Sequence, residues 1–103
     1  MFAEVPETLP STLYARKLLR RAGSAGHEWP SEGGLAHVRE ELGRTESVVE
    51  GGEGERDGRF DAVGDLLLAV VALARELRVD PELALRAAAD RYRAGVEAAG
   101  NAP

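Results

Sequence analysis

Five side chains able to do acid–base or metal chemistry sit in two short stretches of this chain. Asp61 and Asp65 are four residues apart in "FDAVGD", and Glu40 and Glu41 follow His37 in "HVREEL". A helix places residues i, i+3 and i+4 on one face. If both stretches are helical, each presents its ligand atoms from one side. Oxygen clusters on two facing helices are how bundles hold hard divalent cations. His37, Glu41, Asp61 and Asp65 also form a mixed nitrogen and oxygen set that suits Mn²⁺ or Zn²⁺. The plainer reading is a set of solvent-facing charges, each with an arginine close by.

Asp65 resists the plainer reading. It stands behind Gly64 and before nine consecutive apolar residues, Leu66 to Ala74. A carboxylate flanked by core is costly unless it is paired. It needs an arginine, a metal or a water-filled cleft.

The elements that must position these groups read as helices. The first is expected over about 7–22, with Leu9, Leu13, Leu18, Leu19 and Ala22 as an apolar stripe and Pro10 near its start. The loop "GSAGHEWPSEGG" follows and carries Trp29. The second helix is expected over about 32–49, where Leu35, Val38, Leu42, Thr45 and Val49 recur at steps of three and four. The glycine-rich "EGGEGERDG" ends it. The third is expected over about 59–77, with Phe60, Val63, Leu67, Val70, Ala74 and Leu77 in the same rhythm. Leu66, Leu68, Val71 and Leu73 make it apolar nearly all round, so it should be buried on more than one side. A chain this short can hardly surround a helix alone, which predicts an oligomer.

The fourth helix is expected over about 81–99. Asp80 suits the N-cap, Pro81 the first helical position, and Glu82 the positive end of the dipole. Leu85, Ala88, Tyr92 and Val96 line one face, and the "NAP" tail should fray. The expected fold is all-α, a four-helix bundle completed by oligomerisation, in a single domain over 1–103.

Composition narrows the function. The 103 residues contain no cysteine, which excludes disulfides, thiolate metal sites and cysteine nucleophiles. The net charge of −5 argues against a nucleic-acid polymer as main partner. The apolar run is too short for a membrane span, and the N-terminus lacks the pattern of a signal peptide, so a cytoplasmic location is expected. Arg16, Lys17, Arg20 and Arg21 form a basic stretch on the first helix. All but Lys17 read as a solvated face. Trp29 could stack on a base or fill a packing gap.

The residues in "GDLLLAVVALARELRVDPELAL", "KLLRRAGSAGHEW" and "HVREEL" together resemble the MazG family of nucleoside triphosphate pyrophosphohydrolases. The resemblance spans about Leu9 to Val96. It implies an all-α dimer or tetramer that cleaves nucleoside triphosphates to monophosphate and pyrophosphate. It also implies Mg²⁺ held by Glu-x-x-Glu on the second helix and Glu-x-x-Asp on the third, which neutralises the triphosphate and helps activate water.

Carried over by position, Glu41 and Asp65 are the surviving catalytic and metal residues. Arg44 and Ala62 stand where the other two carboxylates should be. Ala72 replaces a frequent family asparagine, while Lys17 and Arg91 keep family positive charges. Lys17, Arg91 and Trp29 are therefore the substrate-binding candidates, with Asp61 and His37 as further metal candidates. A guanidinium beside a divalent cation is strongly repelled. Arg44 is thus expected to bridge Glu41 and Asp65 in place of the metal. Two functions follow: a pyrophosphohydrolase with Mg²⁺ or Mn²⁺, weakened or lost, or a non-catalytic relative that binds a nucleotide or a protein.

Overall fold

The computed structural model describes residues 1–51 and 56–100. The expected glycine-rich connection falls partly on 52–55 and the expected fraying tail on 101–103, both outside the described residues. Among the described residues the structure is all-helical, with four helices: α1 Ser11–Ser24, α2 Gly34–Glu50, α3 Arg56–Glu76 and α4 Pro81–Gly100.

The boundaries follow from local chemistry. Helix α1 starts after Pro10 rather than at Glu7. A proline pushes the residue before it out of the helical region, so Leu9 cannot be helical. The Pro10 carbonyl then accepts the first helical bond, from Tyr14, at 2.8 Å. Helix α2 starts two residues later than expected because Gly33 adopts φ 95° and ψ 155°, a conformation open essentially to glycine alone.

Helix α3 ends at a left-handed residue, Arg78, with φ 58°. Arg78 N–H bonds Arg75 C=O at 3.1 Å and Val79 N–H bonds Ala74 C=O at 2.9 Å. This is the paired-bond helix stop that usually carries glycine at the left-handed position. Asp80 caps α4 as expected: its Oδ1 accepts from the N–H groups of Glu82 and Leu83 at 2.9 and 3.3 Å. Its other oxygen takes Arg16 of α1 at 3.1 Å, and Thr12 of α1 donates to Glu82 at 2.8 Å. Polar ties thus join α1 to the start of α4.

The closest packing is between α2 and α3. Small residues make it possible. Ala69 is fully buried and Ala72 nearly so. A Cβ on Gly34 would lie 2.8 Å from the Cα of Leu73. The N–H of Gly34 donates to Glu76 Oε1 at 2.7 Å, so a carboxylate from the end of α3 caps the positive start of α2.

The apolar stripe expected to bury α2 is turned outward at three of its five positions. Leu35, Leu42 and Val49 are exposed, and Gly34, His37 and Glu41 face inward instead. On α3, Phe60, Val63, Leu67 and Val70 are exposed too, as is Leu77 just past its end. Helix α4 buries no residue. The Cα radius of gyration is 16.6 Å, against about 13 Å for a compact domain of this length.

Candidate functional site

The polar residues of the α2–α3 seam gather around His37. Gly33 and Gly34 start α2 where the α3 backbone is closest, and His37 is the next residue on that inward face. It is only 8% exposed, and Glu41, one turn on, is 3% exposed. The Trp29 ring meets the imidazole edge to face, with centroids 4.6 Å apart. His37 Nδ1 lies 3.2 Å from Glu32 Oε1 and 3.8 Å from Glu40 Oε2. Its Nε2 lies 3.6 Å from Glu41 Oε1. Three carboxylates therefore surround one buried ring.

Arg44 supplies the countercharge. Its guanidinium donates to Glu41 Oε1 at 2.9 Å and to Glu40 Oε1 at 2.7 Å, an i,i+3 and i,i+4 fork along α2. The bridge expected from Arg44 to Asp65 is not formed. Arg44 reaches along its own helix, because residues three and four back lie within its span. Asp65 is exposed on α3 and makes no ion pair within 4.0 Å among the described residues. Leu66 and Leu68 are half-buried while Asp65 itself is exposed, which removes the cost of burial that demanded a partner.

Glu32 titrates below the ordinary glutamate range. The main cause is the bond from its own backbone N–H, followed by the Ser31 hydroxyl at 3.1 Å. The contact with His37 lowers it further, and partial desolvation opposes.

The candidate residues do not converge on one spot. Helix α2 touches α3 but neither α1 nor α4. Lys17 on α1 and Arg91 on α4 therefore sit on helices apart from Glu41 within one chain. Trp29 joins the two sides: it meets His37 and also lines a groove between α1 and α3. Asp61 is exposed on α3. Among the described residues, the one metal-sized group of three comprises Glu32, His37 and Glu40, with ligand atoms within 4.8 Å of one another. The set His37, Glu41, Asp61 and Asp65 is not brought together in this way. Glu32 escaped the sequence reading because it lies in the loop before α2, five residues from His37, outside any helical spacing.

These residues do not fit a four-carboxylate magnesium site. Two of the four positions that the resemblance implies are Arg44 and Ala62, and Glu41 Oε1 already accepts from Arg44 at 2.9 Å.

The site thus lies on an all-α chain, with acids of the second helix turned to the third. Comparison with known proteins narrows it. No family model matches the chain. Over 90 residues it is 33% identical to the nucleoside triphosphate pyrophosphohydrolase/pyrophosphatase MazG of Thermotoga maritima, covering 86% of this chain and 33% of that protein. Over 95 residues it is 30% identical to the nucleoside triphosphate pyrophosphohydrolase of Escherichia coli K12, covering 86% of this chain and 34% of that protein. The chain is similar to MazG proteins, as its motifs implied, and it spans about a third of the length of the curated relatives it matches.

Proposed function

We propose that the chain is a MazG-like nucleotide pyrophosphohydrolase of reduced activity, acting on a nucleoside triphosphate to give monophosphate and pyrophosphate. The pyrophosphohydrolase names of its relatives support the reaction class. The observation that carries the reading is Glu41: a carboxylate 3% exposed, at a motif position, on the helix face turned to α3. Asp65, exposed on α3 and not grouped with Glu41 in this structure, is the second carboxylate that the resemblance implies. Mg²⁺ or Mn²⁺ can be held by one or two carboxylates with substrate phosphates and water completing the shell. Arg44 is 63% exposed at its side chain while Glu41 is buried, so a cation would have to replace the Arg44 charge for the guanidinium to leave. Lys17, Arg91 and Trp29 are the substrate-binding residues of this reading, in a cytoplasmic homodimer or tetramer.

The second reading is a non-catalytic relative that binds a nucleotide or a protein partner. The 2.9 Å contact between Arg44 and Glu41 favours it, because a guanidinium already neutralises the carboxylate a metal would need.

Pyrophosphate release from the common nucleoside and deoxynucleoside triphosphates, with Mg²⁺ and with Mn²⁺, separates the two. The first reading expects slow, metal-dependent release from at least one nucleotide, abolished by Asp65→Asn. Release from none of them leaves the second.

A further inference from the structure

His37 is buried, 8% exposed, and both of its ring nitrogens face carboxylate oxygens. Nδ1 lies 3.2 Å from Glu32 Oε1 and 3.8 Å from Glu40 Oε2, and Nε2 lies 3.6 Å from Glu41 Oε1. A neutral imidazole carries one proton for two nitrogens. One nitrogen of this ring therefore meets carboxylate lone pairs with no hydrogen between them. A cation on that side turns the repulsion into ligation. Among the described residues, Arg44 is the one arginine or lysine within 4.0 Å of these three carboxylates, and it reaches Glu40 and Glu41 but not Glu32.

The outer contacts decide which side the cation takes. Glu32 Oε2 accepts from the Ser31 hydroxyl at 3.1 Å, and Glu40 Oε1 accepts from Arg44 at 2.7 Å. Each glutamate thus has one oxygen held from outside and the other turned to Nδ1. Histidines that ligate a metal usually give their second N–H to a carboxylate, and ligating carboxylates are themselves hydrogen-bonded. Glu41, fixed by Arg44 at 2.9 Å, stands at Nε2 for that role, about half an ångström beyond hydrogen-bond reach. The spacing also fits. Ligand atoms about 2.0–2.1 Å from a tetrahedral zinc are roughly 3.3 Å apart, and the two Nδ1 distances lie on either side of that. One ligand atom from each of Glu32, His37 and Glu40 falls within 4.8 Å of the others.

We propose that Glu32, His37 and Glu40 bind a Zn²⁺ ion, through Nδ1 of the imidazole and one oxygen of each glutamate, with water at the fourth position. An imidazole with two carboxylates suits zinc better than magnesium, which prefers oxygen alone. Glu32 and Glu40 are exposed, so the ion has a path in from solvent. It ties the loop before α2 to the first turns of that helix. It also steadies His37 against the Trp29 ring, whose centroid is 4.6 Å away. The site shares no ligand with the Glu41 and Asp65 pair, and it stands whether or not the chain is catalytic.

The test is a titration of Zn²⁺ into the metal-depleted parent near neutral pH. Calorimetry should find a single ion per chain, and the emission of Trp29, the chain's one tryptophan, should change with it. Glu32→Gln and Glu40→Gln should each weaken binding about tenfold or more, since losing even an outer contact of a metal site costs that much. His27→Ala removes the other histidine and Asp65→Asn removes a carboxylate of the proposed catalytic pair; both should bind like the parent. Nitrogen NMR of the zinc-loaded parent should find Nδ1 of His37 on the metal and the proton on Nε2. That measurement needs no variant, so a substitution that unfolds the chain cannot stand in for an answer. A folded parent that binds no Zn²⁺ overturns the proposal, and His37 is then an imidazolium held by its glutamates. Binding that survives both glutamine variants overturns it, as does binding lost with His27→Ala or Asp65→Asn. Pyrophosphate release is measured separately, and its absence leaves these outcomes unchanged.

Discussion

The α2–α3 half and the α1–α4 half of this chain solve the same problem differently. Between α2 and α3, glycine and alanine bring two backbones together, and polar groups are shut inside with partners: His37 with Glu32, Glu41 with Arg44, and the start of α2 with Glu76. Between α1, α3 and α4, large apolar side chains line an open groove and polar ties act only at its rim, where Arg16 holds Asp80 and Thr12 holds Glu82. The inward polar groups of the first half are paired within one chain, although Leu35, Leu42 and Val49 on the outer face of α2 stay exposed. The second has the hydrophobic material of a core without a second wall. Small residues close a seam locally; large ones, at this chain length, need another surface.

Two glycines probe this contrast most strongly. Gly34→Ala puts a Cβ 2.8 Å from the Leu73 backbone. We expect a loss of about 1–3 kcal/mol by denaturant unfolding, the usual cost of overpacking. Gly95 on α4 has nothing within 4 Å of an added Cβ. Gly95→Ala should raise stability by about 0.5–1 kcal/mol through helix propensity. If both substitutions destabilise alike, the two halves are not different in the way described.

The next effect is at the joint between the halves. Arg78 sits at φ 58°, where a side chain costs about 1 kcal/mol or more that glycine avoids. Arg78→Gly should therefore raise the melting temperature by a few degrees. A fall would mean that the Arg78 side chain contributes more than its backbone costs.

The smallest effect concerns Glu32 at the mouth of the closed half. Its carboxyl is held below the ordinary glutamate value. The sign follows from linkage: the stabilisation is fully present above the unfolded value and fades as pH falls through the lowered folded value. A pH titration of the Glu32 side chain by NMR should find it below an unstructured glutamate. Ser31→Ala should move it back up, and a Glu32 that titrates at or above the ordinary value contradicts the contacts described.

Much of the fold was legible before the structure. Periodicity located four helices, and Asp80 with Pro81 marked the start of α4 correctly because capping is a local property. Which face of α2 turns inward was not legible. Leu35, Leu42 and Val49 mark a true apolar stripe, but periodicity says only that a stripe exists, not that this chain alone covers it. Glycine at 34 decides the matter by letting the α2 start approach Leu73, and that brings His37 and Glu41 inward with it. The site was legible in part. Glu41 was singled out by motif position and is buried at the seam. Arg44 was read as a cation in the wrong place, yet its partners are the glutamates of its own helix rather than Asp65. Glu32 was invisible, since a loop residue reaches its contact through tertiary structure alone.

The claim at the centre of this account is that Arg44 and Ala62 are what separate the closed half from a working four-carboxylate site. Calorimetric titration of Mg²⁺ into the parent and into the Arg44→Glu, Ala62→Glu double variant tests it directly. The account expects weak binding in the parent and clearly tighter binding in the double variant. A parent that already binds Mg²⁺ tightly, or a double variant that binds no better, would contradict it.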